Sequence, residues 1–153
     1  MTSFQKLFVN SNIIPFKAEY KSTILTIWEQ SVLATHDFLS PEDFKEIREM
    51  LSGFNFEELD VYCQIHDNKI VGFIGIHNHK IEMLFLLPEY MGKGLGRNLV
   101  TYAVKHHQAN QVDVNEQNEN ALKFYEKFGF TVYERTAKDD LGKDYPILKM
   151  KLA

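Results

Sequence analysis

The chain has 153 residues and a formal net charge of −4, with 44% hydrophobic and 25% charged residues. This composition is typical of an ordinary globular protein, and the length favours a single domain over residues 1–153. The negative charge argues against broad nucleic-acid binding, in which basic surface dominates the affinity. No apolar run reaches the roughly 20 residues of a membrane-spanning helix, so no membrane contact is expected.

The amino-terminal sequence "MTSFQKLFVN" lacks the basic-then-apolar pattern of a secretion signal. The chain has one cysteine, Cys63, so an internal disulfide is not possible. Its strand-like surroundings, "DVYCQI", indicate a small buried residue and not a nucleophile. These features predict a cytoplasmic protein.

The hydrophobic pattern predicts the element order β-α-α-β-β-β-α-β-α-β-β. Residues 4–9 indicate a short strand, and apolar residues at three- and four-residue steps indicate a helix within 16–34. Ser40 at an N-cap and Pro41 at the first helical position mark the start of a second helix. Three strands joined by the turns "HDNK" and "HNHK" follow, at 59–66, 69–77 and 81–87.

The second half of the chain alternates helices and strands. Apolar spacing predicts a helix from Leu95 to about residue 108, followed by the short strand "QVDVN". Asn118 caps a further helix, and the last two strands are expected at about 131–137 and 145–152. The fold class is therefore α/β or α+β, with a mixed sheet that has helices on its faces.

The stretch "PEYMGKGLGRNLV", residues 88–100, places three glycines between a strand and a helix. It is not a Walker P-loop, because no glycine precedes Lys-Ser or Lys-Thr, and it is not a dinucleotide fingerprint, since Arg97 or Leu99 stands where the last glycine is needed. The free amides and the dipole of a helix N-terminus suit a phosphate or pyrophosphate, and Lys93 and Arg97 add positive charge. A glycine-rich turn that only leads a strand into a helix is the alternative, and the glycines alone leave both open.

A second motif lies downstream, in "NEQNENALKFYEKFGF", residues 115–130. Together with "LFLLPEYMGKGLGRNLV" it resembles the GNAT superfamily of acetyl-CoA-dependent N-acetyltransferases. That family combines a Q/R-x-x-G-x-G/A loop that opens a helix with a later N-x-x-A-x-x-x-Y-E-K-x-G-F motif. Gly94 and Gly96 match the first motif, and the second is matched by Asn118, Ala121, Tyr125, Glu126, Lys127, Gly129 and Phe130. The family's order of elements fits the whole predicted order and implies a central, mostly antiparallel sheet with helices on both faces.

Two further features refine this resemblance. Met91 stands where the family usually has Arg or Gln, so a side-chain contact to phosphate is missing and a lower affinity for the cofactor is expected. The segments "SVLATHDFLSPEDF" and "DVNEQN" are similar to the small bacterial YjaB-like group of the family. That similarity favours peptidyl lysine as the acceptor.

The resemblance implies acetyl-CoA as co-substrate and no metal. The pantetheine arm is expected to pair with the exposed backbone of Leu84, Phe85 and Leu86, in a gap between that strand and 111–115. A backbone N–H near Leu86 is expected to polarise the acetyl carbonyl, and Asn118 to bond to the cofactor. Further cofactor contacts are expected along the loop, at Met91, Gly92, Lys93, Gly94, Leu95, Gly96 and Arg97.

Tyr125 is the predicted general acid, because its phenol has a proton to give to the leaving thiolate. A tyrosine at helical spacing is more often a core residue, and the family motif is what favours catalysis. Two carboxylates compete as general base, and each is otherwise a paired structural carboxylate. Glu82 takes the lead because it lies within the apolar run "IEMLFLL", on the face predicted for Leu84 and Leu86, while Asp113 lies on the neighbouring strand.

His36, in "ATHDFL", lies between the first two helices, a region that shapes the acceptor side in this family. It is predicted either to contact the acceptor amine or to be a turn histidine. The pairs His77/His79 and His106/His107 lack a third ligand at metal spacing, so no metal site is expected. The acidic run "PEDFKEIRE" is either a solvated helix face or an attraction for a cationic acceptor.

Direct attack of a primary amine on the thioester, in a ternary complex, is predicted because Cys63 has no flanking basic residue to make it a thiolate. The acceptor is a small-molecule amine or a protein lysine, and the protein is expected to be a monomer or a homodimer. Three alternatives stay open. They are the same fold moving a larger acyl chain, a non-catalytic coenzyme A-binding sensor or partner module, and a generic phosphate-binding domain.

Overall fold

The computed structural model describes residues 12–153. Over that part of the chain the elements follow the predicted order, with β1 at Ile13–Pro15 as the first strand, while the strand predicted at residues 4–9 lies outside the described residues. The other strands are β2 Asp60–His66, β3 Lys69–His77, β4 Lys80–Leu86, β5 Gln111–Asn115, β6 Phe130–Thr136 and β7 Ile147–Leu152. The helices in the same part are α1 Lys21–Thr35, α2 Pro41–Ser52, α3 Leu95–His107 and α4 Glu119–Phe128, with short 3₁₀ turns at Ala18–Tyr20, Phe56–Glu58 and Pro88–Tyr90.

The first helix begins later than predicted. The backbone N–H of Phe16 donates to the Val61 carbonyl at 2.9 Å, which keeps the chain extended beyond β1. A 3₁₀ turn then leads into α1 at Lys21. The second helix starts as predicted, since the Ser40 hydroxyl accepts a hydrogen bond from the Asp43 N–H at 3.1 Å.

The described strands form one sheet in the order β1-β2-β3-β4-β5-β7-β6. The pair β4–β5 is parallel, and the other neighbouring pairs are antiparallel, which confirms the mixed, mostly antiparallel sheet. The two parallel strands pair only at Lys80–Gln111 and Ile81–Val112. Beyond these two pairs the strands part, and the sheet opens along the rest of β4.

A β-bulge lies where β4 leaves β5. Ile81 pairs with Ile76 of β3 and Met83 pairs with Gly75, so Glu82 between them has no partner in β3. A bulge bends its strand and increases the local twist, which helps the two parallel strands to separate. The extra residue interrupts the regular alternation of side chains at this point, so the shared face of Glu82 and Leu84 stays a prediction.

The helices cover both faces of the sheet, as predicted. On one face α1 and α2 pack over a cluster that includes Ile24 and Trp28, together with the fully buried Cys63. On the other face α3 and α4 pack over a cluster that includes Leu99 and Tyr125. Burial of each large apolar side chain stabilises the fold by roughly 1.5–3 kcal/mol, so the two clusters fix the helices on either side of the opened strands. None of the helices in residues 12–153 has the length and apolar character that crossing a membrane requires.

Candidate active site

A cavity of about 560 Å³ occupies the opening between β4 and β5. Its walls are residues 81–86 of β4 and 112–115 of β5. The C-terminal end of α1, the glycine loop and α4 close its other sides. The gap that the family resemblance implies between these two strands is therefore present, and its volume is in the range of small-molecule sites.

Two glycines of the loop are required by its backbone. Gly92 has a φ of 76° and Gly94 a φ of 83°, in the left-handed region that residues with a Cβ rarely adopt. A Cβ at either position would have no heavy atom within 4 Å, so the loop presents bare backbone to the cavity. The tight turn and the anion-binding interpretation are therefore compatible in this loop.

The loop offers a row of unpaired donors. The first backbone hydrogen bond of α3 runs from the Asn98 N–H to the Gly94 carbonyl at 3.0 Å, and no side chain caps the helix. Within residues 12–153 no acceptor contacts the backbone amides that precede it, namely those of Gly92, Lys93, Gly94, Leu95, Gly96 and Arg97. Such amides at a helix N-terminus bind anions, so this donor set fits the diphosphate of coenzyme A.

Side chains around the loop add less than the sequence suggests. The Lys93 ammonium lies over the Tyr90 ring at 5.4 Å, and the Arg97 guanidinium lies over the Phe128 ring at 5.0 Å. Met91 lines the cavity with extended backbone, and its thioether brings neither charge nor a hydrogen-bond donor. The grip on an anion here rests mainly on the backbone.

The edge of β4 is open where the ligand arm is expected. Leu84, Phe85 and Leu86 pair with β3 on one side and lie beyond the last β4–β5 pair on the other. An unpaired strand edge offers backbone donors and acceptors to an extended partner. The pantetheine arm, which carries two amide groups, suits such an edge.

Tyr125 lies on α4 with its side chain 5% exposed. Its ring makes edge contacts with Phe124 and Phe130, and the residue also lines the cavity. Burial raises the pKa of its phenol, so the hydroxyl keeps its proton at neutral pH. No hydrogen-bond partner for this hydroxyl is found among residues 12–153, which leaves the proton available to a ligand. Both the core and the catalytic interpretations of this tyrosine are compatible with the geometry.

The two candidate general bases, Glu82 and Asp113, line the same cavity but differ in their ion pairing. Asp113 accepts a hydrogen bond from the Lys80 ammonium at 2.7 Å. Burial lowers the pKa of Lys80, but the hydrogen bond and charge of Asp113, with the charges of Glu82 and Asp140, outweigh it and raise the pKa overall. Lys80 therefore stays a cation and keeps Asp113 paired. Glu82 is exposed at the bulge and has no salt-bridge partner in residues 12–153.

His36 ends α1 and lies at the cavity wall. Its Nδ1 is 2.7 Å from the Thr35 hydroxyl, and its ring contacts Phe38. Burial lowers the pKa of His36, while the charge of Asp37 opposes that effect. The imidazole is therefore mainly neutral at pH 7 and able to accept a proton.

Asn118 both caps α4 and reaches the cavity. Its side-chain oxygen accepts a hydrogen bond from the Ala121 N–H at 3.2 Å, which leaves the amide NH₂ group for a ligand. Other polar or aromatic lining residues are absent from the predicted site because they match no motif position, and these are Ser31, Thr35, Asn115, Asn120 and Phe124. Lys127 also lines the cavity, and it matches the second motif but has no predicted role in the site. Within residues 12–153 no group of three or more His, Cys, Asp or Glu side chains is arranged to hold a metal ion.

Residues 26–151 match the family model of the acetyltransferase (GNAT) domain. The chain belongs to this family, and it is an N-acetyltransferase whose acetyl donor is acetyl-CoA. The glycine loop and the open strand edge fit that donor.

Known relatives extend over nearly the whole chain. The peptidyl-lysine N-acetyltransferase YjaB of Salmonella typhimurium strain LT2 is 38% identical over 91% of this chain and 96% of its own length. YjaB of Escherichia coli K12 is 39% identical over 83% of this chain and 86% of its own length. The solution structure of apo YjaB from Escherichia coli superposes with a TM-score of 0.85 at 37% identity, covering 92% of this chain and 96% of that one. The predicted similarity to the YjaB-like group is confirmed.

Proposed function

We propose that the protein transfers the acetyl group of acetyl-CoA to the ε-amine of a lysine in a peptide or protein. The observation that carries this proposal is the cavity at the β4–β5 opening, which joins the glycine loop, the Tyr125 phenol and the Glu82 carboxylate. The names of the two YjaB relatives, both peptidyl-lysine N-acetyltransferases, support the choice of acceptor.

The backbone does most of the binding in this proposal. The amides of residues 92–97 hold the diphosphate, since no acceptor in the described chain competes for them. The free edge of β4 at residues 84–86 pairs with the pantetheine arm as an added strand would. Asn118 donates its amide NH₂ to the cofactor while its oxygen stays on the helix.

Acetyl-CoA supplies a thioester that is reactive toward amines. A backbone N–H near Leu86 polarises the acetyl carbonyl as the negative charge develops on its oxygen. Glu82 takes the proton of the incoming ammonium, directly or through water, so that a neutral amine attacks the carbonyl carbon. Asp113 is the second candidate base, and its ion pair with Lys80 makes it the less available proton acceptor.

Tyr125 donates its proton to the departing sulfur as the C–S bond breaks. Burial keeps the phenol protonated, and its hydroxyl has no competing partner among residues 12–153. Transfer is direct, because Cys63 is buried and burial raises the pKa of its thiol to about 12, so it does not serve as an intermediate acyl carrier. His36 contacts the acceptor from the end of α1.

Three broader predictions belong to the same proposal. The catalytic domain spans residues 1–153, a little more than the 26–151 that match the family. The compartment is the cytoplasm, where a lone cysteine stays reduced, and the partners are amine acceptors and not nucleic acid or membrane. The protein is a monomer or a homodimer, which light scattering of the full chain would decide.

Release of free thiol from acetyl-CoA tests the proposal. The full chain would be assayed with lysine peptides, with the same peptides acetylated at lysine, and with small amines. We expect release that needs a free lysine side chain. Tyr125→Phe should lower kcat by roughly 10²-fold, while the Kd for coenzyme A stays within about twofold.

Tyr133→Phe is the matched control, because Tyr133 lies exposed on β6 outside the cavity. It should leave turnover unchanged. Release with small amines only would overturn the lysine assignment. Tight binding of coenzyme A without release on any amine would instead favour the non-catalytic sensor.

A further inference from the structure

The side chain of Leu86 lies between two glycines on different elements. Leu86 pairs directly with Gly72 across β3 and β4. On its other side it approaches Gly96 in the first turn of α3. Leu86 and Gly96 line the cavity, whereas Gly72 lies behind them and does not.

Gly72 leaves the space that one Leu86 methyl group occupies. A Cβ built on Gly72 would lie 2.3 Å from Cδ2 and 3.2 Å from Cγ of Leu86, and 2.9 Å from the Phe85 carbonyl oxygen. Real Cβ atoms do not come this close to other heavy atoms, so either the side chain or the strand would have to move. The backbone of Gly72 is not in the left-handed region, so its conformation does not require glycine. Close approach of a neighbour is the other common reason for glycine inside a strand.

We propose that Gly72 sets the width of the acetyl-CoA channel, by letting Leu86 lie flat against β3 and out of the path of the pantetheine arm. This inference rests on the proposed binding of acetyl-CoA along β4. Gly72 is a positioning residue, since it acts only through Leu86 and the β4 backbone. Its position in the middle of a buried strand gives no sign of this role in the sequence.

The surroundings decide where a displaced Leu86 would go. Its Cδ1 lies 3.4 Å from the point where a Cβ would stand on Gly96, so the helix side offers no more room than about one methyl group. An added Cβ at Gly72 would fill the space on the sheet side of Leu86. The larger open space beside Leu86 is the cavity that it lines, so we expect the displaced side chain to move there and to cover the β4 edge next to the glycine loop.

Gly75 of the same strand provides a matched control. A Cβ there would meet Leu59 Cδ1 at 3.3 Å and Met83 Cβ at 3.7 Å, both on the opposite face of the sheet. Gly75→Ala therefore also adds one methyl group to the interior of β3. It adds this group away from Leu86 and from the coenzyme A loop.

The test is the Kd for coenzyme A, with the apo melting temperature, in Gly72→Ala and Gly75→Ala. We expect Gly72→Ala to raise the Kd and the KM for acetyl-CoA by roughly tenfold or more, with a smaller change in kcat. The split arises because Gly72→Ala acts on the binding path through the Leu86 side chain, whereas the N–H expected to polarise the acetyl carbonyl belongs to the β4 backbone and Glu82 lies nearer the other end of that strand. Gly75→Ala should leave the Kd within about twofold.

A variant with a shorter side chain at position 86 distinguishes displacement of the Leu86 side chain from general damage to the fold. In Gly72→Ala/Leu86→Ala the δ-carbons are gone, so the added methyl group should cost much less affinity than it does in the presence of Leu86. The recovery is partial, because the Phe85 carbonyl remains 2.9 Å away. If Gly72→Ala fails to fold, the Kd for coenzyme A of the double variant is compared with that of Leu86→Ala, and this comparison tests the inference.

Two results would overturn the inference. One is a Gly72→Ala protein that binds coenzyme A as tightly as the unaltered chain. The other is a double variant that loses as much affinity, relative to Leu86→Ala, as Gly72→Ala loses relative to the unaltered chain. Failure of the proposed function would look different, because the unaltered chain itself would then not bind coenzyme A.

Discussion

The Lys80 ammonium lies 2.7 Å from the Asp113 carboxylate, and it joins the two strands at the point where the sheet begins to open. The sequence gives Glu82 only a small lead over Asp113 as the general base, and this ion pair separates the two carboxylates further. Asp113 is paired with the Lys80 ammonium, whereas Glu82 lines the same cavity and forms no ion pair with another described residue.

Parallel pH–rate profiles should therefore distinguish the two carboxylates. A general base works only when deprotonated, so the rate falls as the pH drops through its pKa. We expect Glu82→Gln to lower kcat by roughly 10²-fold or more and to lose this acidic limb. Asp113→Asn should keep the limb and act mainly on stability, since it leaves Lys80 without its partner. If both variants keep the limb of the unaltered enzyme, neither carboxylate is the base.

Met91→Arg should tighten coenzyme A binding. The side chain lines the cavity beside the unpaired amides of the loop, and a guanidinium there can reach a phosphate. An exposed charge contact of this kind is worth about 0.5–1 kcal/mol, or roughly two- to fivefold in Kd, and the gain should shrink at high salt. Met50→Arg on the exposed surface of α2 adds the same charge away from the cavity. An equal gain in both variants would show a net-charge effect and no local contact.

A comparison of Gly94→Ala with Gly142→Ala distinguishes the effect of backbone strain on stability from an effect on coenzyme A binding. Both glycines have positive φ, 83° and 77°, and both have open space where a Cβ would stand. Each substitution should therefore lower stability by roughly 1 kcal/mol through backbone strain. Only Gly94→Ala should weaken coenzyme A binding, because Gly142 lies outside the cavity. Isothermal titration and thermal unfolding of the two variants would check this, and equal losses of affinity would contradict the loop's assignment.

A hydrogen-bonded contact ties the β6–β7 connection to α2. Tyr145 donates to the Asp43 carboxylate, and Lys143 forms ion pairs with Asp43 and Glu46 at 2.9 Å. The Tyr145 hydrogen bond, followed by that of Lys143, lowers the pKa of Asp43 to about 2. A carboxyl whose pKa is depressed in the folded state stabilises the fold above its unfolded pKa of roughly 3.9, and this contribution disappears as the pH falls through the folded value.

Asp43→Asn should consequently lower the melting temperature at pH 7, and the difference from the unaltered chain should vanish as the pH approaches 2. Asp144→Asn in the same connection is the control, since its carboxylate is 89% exposed and its one ion pair within residues 12–153 is with Lys138. It should change the melting temperature little at any pH. A difference for Asp43→Asn that persists undiminished to pH 2 would show that its charge is not the cause.

The sequence predicts the order of elements because apolar spacing and caps are local signals. Ser40 before Pro41, and Asn118 three residues before Ala121, are caps that the structure bears out as hydrogen bonds. The start of α1 is wrong because Phe16 is held by a strand partner 45 positions away, Val61, which no local pattern reveals.

The residues of the candidate site also divide into those that a local motif predicts and those that depend on contacts between distant parts of the chain. Motifs lead to the glycine loop, Asn118 and Tyr125, all of which the structure brings to one cavity. The bulge at Glu82 and the pairing of Asp113 with Lys80 depend on register and on contacts between distant strands, so neither can be read from one sequence. Ser31 and Thr35 look like ordinary helix-surface hydroxyls until α1 is packed beside β4.

The parted strands also give the ligand a structural function. Two residue pairs join the β1–β4 side of the sheet to the β5–β7 side, and the amides of residues 84–86 that face the opening have no strand partner there. An arm bound along β4 supplies the missing backbone partners. Hydrogen exchange at these amides should therefore slow when coenzyme A binds, in a patch that follows β4 from Leu84 to Leu86. In the apo enzyme the sheet therefore lacks one strand at this opening, and bound acetyl-CoA takes the place of that strand.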